Sequence, residues 1–137
     1  MIYLDTSALV KLIRLESEST ALADWLDART ESRWITSTLT EIELPRAIRA
    51  IAPEGLASVP GVLARLDRFE IDDVVRATAA AYSDPTLRSL DAIHLATAQI
   101  ATAAAPLIAF VSYDRRLGDA AAAAGLVVAA PTAGKRR

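Results

Sequence analysis

Residues 2–10 read Ile2-Tyr3-Leu4-Asp5-Thr6-Ser7-Ala8-Leu9-Val10, and the order of residue types in this stretch decides the fold. Three apolar residues in a row, with no polar alternation, suit a central strand of a parallel sheet covered on both faces. Past them, Ala8, Leu9, Leu12, Ile13 and Leu15 recur at helical spacing, so the chain turns from strand into amphipathic helix just beyond Asp5. Asp5 therefore ends a strand. In open α/β sheets that carboxyl edge is where ligands bind, because the loops leave a crevice there and helix amino termini point into it.

The rest of the chain repeats the alternation. A second helix follows from Ala21 through Leu22, Trp25 and Leu26, forming a helical hairpin with the first, and Trp34-Ile35-Thr36 reads as a short strand. Ser37 or Thr38 can cap a helix carrying Leu39, Ile42, Ala47, Ile48 and Ile51, in which Pro45 is expected to introduce a kink or move the start. A loop-rich stretch with Pro53, Gly55, Pro60 and Gly61 leads to a third strand expected at Phe69-Glu70-Ile71 and to a helix starting at Asp72-Asp73. An alanine-rich helix from Ser89 carries Leu90, Ile93, Thr97 and Ile100 on one face. Leu107 to Ser112 is a continuous apolar strand, and a last helix from Arg115 stops at Gly125 before Leu126-Val127-Val128. Strands separated by one or two helices give an α/β fold with a mainly parallel sheet. Residues 1–131 read as one domain and 132–137 as a short polar tail.

Bulk properties narrow the function. A chain of 137 residues is long enough for one domain with a real core. Its lack of cysteine excludes a disulfide scaffold, a thiolate zinc site and a cysteine nucleophile, and suits a reducing cytosol. With no leader-like amino terminus and no apolar run near the ~20 residues a bilayer demands, the expectation is a cytoplasmic protein with no membrane segment. The net charge of −2 argues against coating nucleic acid by charge alone.

Two acids, Asp5 and Asp114, follow strands, while Glu43 and Asp91 stand near the starts of helices that would pack on the same sheet. Each alone has a bland explanation: Asp5 and Asp114 as helix N-caps, Asp91 as a first-turn acid favoured by the helix dipole, Glu43 as a surface charge. Gathered on one edge without paired cations, three or four carboxylates repel one another, and a divalent cation is the usual remedy.

Four segments then carry a resemblance: Tyr3-Leu4-Asp5-Thr6-Ser7-Ala8-Leu9-Val10-Lys11, Glu43-Leu44-Pro45-Arg46-Ala47, Leu90-Asp91-Ala92-Ile93-His94-Leu95-Ala96-Thr97-Ala98 and Ser112-Tyr113-Asp114-Arg115-Arg116-Leu117. In order and spacing they resemble the PIN-domain ribonucleases, specifically the toxin component of VapBC toxin–antitoxin pairs. The resemblance implies a PIN-like three-layer α/β domain, a mainly parallel central sheet with helices on both faces. It further implies that Asp5, Glu43, Asp91 and Asp114 bind Mg²⁺ or Mn²⁺ and cut RNA, that a cognate antitoxin protein is the partner, and that the chain forms a homodimer. Asp5 and Asp91 are assigned as principal metal ligands, Asp114 as a ligand or its support, and Glu43 as a water-orienting base or shared ligand. An antitoxin peptide would lie on the hairpin residues Leu12, Leu15, Leu22, Trp25 and Leu26, which a small domain cannot all cover.

Other residues are weighed against these. Glu41 and Glu43 lie two apart on a helix, so only one faces the site, and the resemblance selects Glu43. Asp119 reads as a surface charge, and the sole histidine, His94, lies one turn from Asp91 and can approach the site, but reads first as a packed or partner-facing residue, since one histidine makes no metal cluster. Lys11, Arg14, Arg46, Arg115 and Arg116 flank the acids and can hold RNA phosphates. Ser7 and Ser112 can orient acids or simply cap turns. With 5% aromatics and no interleaving of basic and aromatic residues, a base-stacking platform is not supported. A dinucleotide or P-loop fold lacks its glycine signature, and the rival from another class is a non-catalytic RNA- or partner-binding module that keeps the fold.

Overall fold

Ile2–Leu4 forms β1, and all three of its residues are buried. A computed structural model describes residues 1–134 and places β1 at the centre of a five-stranded sheet of order β3-β2-β1-β4-β5. The other strands are β2 (Trp34–Ser37), β3 (Asp67–Phe69), β4 (Ala109–Val111) and β5 (Val128–Ala129), and every pairing is parallel. Successive side chains on a strand point to opposite faces, so β1 feeds two cores. Ile2 and Leu4 join Ala109 and Val111 in one, while Tyr3 and Phe110 enter the other.

The first core is closed by α1 (Thr6–Ile13), α2 (Ser19–Asp27), α3 (Thr40–Ile51) and α4 (Val59–Ala64), through Leu9, Leu22, Leu26, Leu44, Ile48 and Leu63. The second is closed by α6 (Ser89–Ala101) and α7 (Arg115–Ala123), through Leu95, Ala98, Leu117 and Ala121, with α5 (Asp73–Ala81) packed on α6. The expected three-layer α/β architecture is therefore present. Gly125, at φ +92, ends α7 in the left-handed region that glycine adopts without strain. Among the described residues no helix is long and apolar enough to cross a membrane.

Several local expectations are corrected. Pro45 does not move the start of its helix: α3 is continuous from Thr40 to Ile51 with the proline inside. The ring deprives only the Glu41 carbonyl of a donor, near the helix start on an exposed residue where water can replace it, while Thr40, Leu44 and Ile48 bury one face. Strand β3 lies at Asp67–Phe69, two residues before the expected Phe69-Glu70-Ile71. As an edge strand it is set by register, Ile35 opposite Asp67 and Ser37 opposite Phe69, and by the Arg33–Asp67 ion pair at 2.7 Å. The stretch Pro53–Ser58 is a 3₁₀ turn rather than open loop. The apolar hairpin face is also largely consumed by the fold: Leu22 and Leu26 are buried, Leu12 and Trp25 pack on the first core, and only Leu15 stands out at 88% exposed. Of the expected tail, residues 135–137 lie outside the described residues.

Order in the sheet fixes where a ligand can go. The chain leaves β1 for β2 on one side and later enters β4 on the other, so the helices above the sheet diverge where β1 and β4 end. A topological switch point of this kind opens a crevice at the carboxyl ends of the strands.

Candidate active site

Asp5 is the residue after β1 and the N-cap of α1, with its Oδ1 accepting from the Ala8 amide at 3.0 Å. The Ser7 hydroxyl donates to the same oxygen at 2.6 Å, and the Ser112 hydroxyl donates to Oδ2 at 2.5 Å. These serines tie the ends of β1 and β4 together, because Ser7 Oγ also accepts from the Tyr113 amide and Ser112 Oγ from the Asp114 amide. Both therefore orient Asp5, which is 2% exposed. Burial holds its carboxyl above the ordinary range, with His94 and the hydroxyl donors offsetting only part of that effect.

Asp114 follows β4 and caps α7, its Oδ1 accepting from the Leu117 amide at 3.1 Å. Asp91 lies in the first turn of α6 and has a different environment. Its Oδ2 is buried and has no hydrogen-bond partner, with Arg88 Nε 3.8 Å away, beyond bonding distance. Burial, then the charge of Asp114, raises the Asp91 carboxyl above its usual value, with Asp5 adding to the effect and Arg88 and His94 opposing it. An acid that its own fold leaves without a donor is poised for an external cation.

Glu43 completes the ring from the first turn of α3. Its Oε1 accepts from Thr6 Oγ1 at 2.6 Å and lies 2.8 Å from His94 Nε2. Burial alone would raise Glu43, but the hydrogen bonds from His94 and Thr6 outweigh it and hold the carboxyl below its ordinary value. His94 is packed, as expected, and it also touches the site. The available signal was its position one turn after Asp91 on α6, which puts both residues on one face.

Together Asp5, Thr6, Ser7, Glu43, Asp91, His94, Asp114 and Leu117 line a cavity of about 160 Å³ at the switch point. All four sequence-selected acids meet there. Glu41 does not: it is exposed and pairs with Arg68 at 3.2 Å. Asp119 is exposed on α7, as expected. Of the flanking cations, Lys11 is held by Glu16 at 2.6 Å and Glu18 at 2.9 Å and lies over the Tyr113 ring, so it is not a free phosphate ligand. Arg14 turns to Glu16 at 3.4 Å. Arg46, Arg115 and Arg116 are exposed, and Arg88, which no sequence pattern singles out, stands at the rim beside Asp91.

The donor set is all oxygen, the choice of a hard cation. Among the described residues no group of three or more acidic, histidine or cysteine side chains is already drawn into a ligand cage. Mg²⁺ does not require one, since it keeps several waters and is commonly held by one or two carboxylates. The orphaned Asp91 Oδ2, with the charges of Asp5 and Asp114 nearby, fits such an ion.

Comparison with known proteins bears on the family and the fold. The PIN domain family profile matches residues 2–123. Ribonuclease VapC35 of Mycobacterium tuberculosis is 73% identical over 131 residues, covering 96% of this chain and 97% of the relative. Ribonuclease VapC47 of the same species is 41% identical over 136 residues, covering 97% and 98%. In fold, the chain is similar to the crystal structure of FitAcB from Neisseria gonorrhoeae, with a TM-score of 0.73 and 19% identity over 96% of this chain and 98% of that one.

Proposed function

The chain belongs to the PIN-domain family, and we propose that it is a divalent-metal-dependent ribonuclease acting as the toxin of a toxin–antitoxin pair. The observation that carries the proposal is the ring of four carboxylates from four different elements around one cavity, with the buried Asp91 Oδ2 left without a hydrogen-bond donor. Asp5, Asp91 and Asp114 would hold Mg²⁺ or Mn²⁺. When bound, such an ion supplies Lewis acidity and neutralises charge developing on the scissile phosphate.

The chain's own residues do the rest. Ser7 and Ser112 fix both oxygens of Asp5, so its lone pairs are aimed before any ligand arrives. Glu43, held below the ordinary carboxylate range, is ionised at neutral pH and orients the attacking water by accepting its proton in a hydrogen bond. Leu117 closes the apolar wall of the cavity. Arg88 and Arg115, exposed beside Asp91 and Asp114, meet the flanking phosphates, which position RNA without reading its sequence. A bound divalent ion also moves the local charge toward the positive, so the acidic chain can approach RNA.

The partner is an antitoxin protein, and the chain works in the cytoplasm as a homodimer. With the hairpin face largely buried in the fold, Leu15 is the one of its five large apolar residues that stands fully exposed to a partner. Expression of the chain alone should slow growth of its host, and co-expression of the adjacent small open reading frame should restore it. Harmless high-level expression of the intact, folded chain would reject the toxin reading.

A further inference from the structure

We propose that His94 is a positioning residue that aims the Glu43 carboxylate, and that Tyr3 on the central strand holds it in one tautomer. The inference rests on the reading of Glu43 as the residue that orients water. His94 is the sole histidine of the chain and is 2% exposed, so bulk water does not set its hydrogen bonds. Both ring nitrogens are engaged. Nδ1 lies 2.7 Å from Tyr3 Oη, and Nε2 lies 2.8 Å from Glu43 Oε1.

The direction of the protons follows from Tyr3. Its side chain is fully buried, stacked on Phe110 at 5.0 Å and edge-on to His94 at 5.9 Å. A phenol keeps its proton at neutral pH, so Tyr3 Oη, 2.7 Å from Nδ1, has a hydrogen to donate. A neutral phenol donating to Nδ1 leaves the imidazole proton on Nε2, where it is donated to Glu43. Thr6 Oγ1 donates to the same carboxylate oxygen at 2.6 Å. Without such anchors the terminal torsion of a glutamate is broad and the carboxylate samples many orientations. Two donors converging on Oε1 stop that rotation and leave Oε2 for the cavity. Tyr3, on the strand at the sheet centre, thus transmits the rigidity of the sheet through His94 to a carboxylate on the far helix.

Two measurements test this, one of them independent of cation and RNA. Ring nitrogen chemical shifts of the parent in EDTA should report Nε2–H with an unprotonated Nδ1, and Tyr3→Phe should disturb the Nδ1 resonance. In cleavage assays, His94→Leu should lower kcat roughly 10- to 100-fold with KM little changed, the usual scale for removing a supporting hydrogen bond. His94→Gln, whose amide can still donate to Glu43, should recover most of that loss, which a purely space-filling role would not predict. Melting of each variant controls for folding, and Tyr3→Phe carries the kinetic test if His94→Leu does not fold. An Nδ1–H tautomer or a doubly protonated ring in the parent, or unchanged kcat in folded His94→Leu, overturns the proposal. Undiminished cleavage by Glu43→Gln would instead reject the role given to Glu43, with the tautomer still decided by the nitrogen shifts.

Discussion

Asp91→Asn should reverse its effect on stability according to whether a divalent cation is present. In EDTA the parent carries a buried Oδ2 with no donor, beside the charges of Asp114 and Asp5. Asn leaves a polar atom in that place but removes the negative charge, and relief of the repulsion from the two neighbouring carboxylates is worth about 1–2 kcal/mol. Against this stands the favourable first-turn position on α6, worth about 0.3–1 kcal/mol, while the exposed Arg88 at 3.8 Å is screened and offsets little. The relief of like-charge repulsion outweighs the lost helix-dipole gain, so the variant should be more stable by about 1 kcal/mol, which is on the order of 4 °C in Tm for a domain of this size. With Mg²⁺ at about 100 times its Kd, the parent should gain about 2.7 kcal/mol that the variant largely lacks, and the order of melting should invert. Acidity supplies a second check. Because burial and the Asp114 charge raise Asp91 above its ordinary 3.8, the folded chain holds that proton more tightly than the unfolded chain does. The parent therefore loses stability as pH rises from 3.8 through the raised value, and its deficit relative to the variant in EDTA should close below 3.8. Calorimetry or dye-monitored melting reads all three conditions. A variant that melts below the parent in EDTA and responds equally to Mg²⁺ would refute the assignment of Asp91 as an unpaired ligand.

Asn caps a helix about as well as Asp, so Asp5→Asn and Asp114→Asn should keep far-UV circular dichroism and lose Mg²⁺-dependent cleavage. Retained activity in either would return that residue to a capping role. Glu41→Gln and Glu43→Gln separate two acids that lie two residues apart. The former, exposed and paired with Arg68, should leave kcat unchanged and shift stability by less than about 1 kcal/mol, and the latter should lower kcat about 100-fold or more. Equal effects from the two would dissolve the distinction between them.

The fold is legible in the sequence where a pattern is dictated by burial. Ile2-Tyr3-Leu4 must be apolar throughout because its side chains alternate between two cores, and the change to helical spacing at Ala8 marks the turn that exposes Asp5. Strand β3 escapes such a reading because an edge strand needs no apolar run: Asp67 and Arg68 are exposed, and cross-strand register with β2 decides. Pro45 carries a visible local cost, while the buried face of Thr40, Leu44 and Ile48 determines the helix. In the site, segment order names the four acids and leaves Ser7, Ser112 and His94 with open alternatives, while the parts played by Thr6 and Tyr3 are not legible. The bonds from Ser112 to Asp5 and from Tyr3 to His94 join residues 107 and 91 positions apart, and only the parallel pairing of β1 with β4 and the packing of α6 bring them together. Lys11 shows the opposite error, since adjacency to Asp5 in sequence suggests phosphate binding while α1 carries it to Glu16 and Glu18.

That this carboxylate ring and a divalent cation together cut RNA is tested most directly by cleavage of an end-labelled single-stranded RNA. The purified chain is stripped with EDTA and then titrated with Mg²⁺, beside Asp5→Asn under the same conditions. The expected result is no cleavage in EDTA, cleavage that rises and saturates with Mg²⁺ in the parent, and none in the variant at any concentration. Cleavage by the parent in EDTA, equal cleavage by Asp5→Asn, or an inert parent at saturating Mg²⁺ and Mn²⁺ would contradict it.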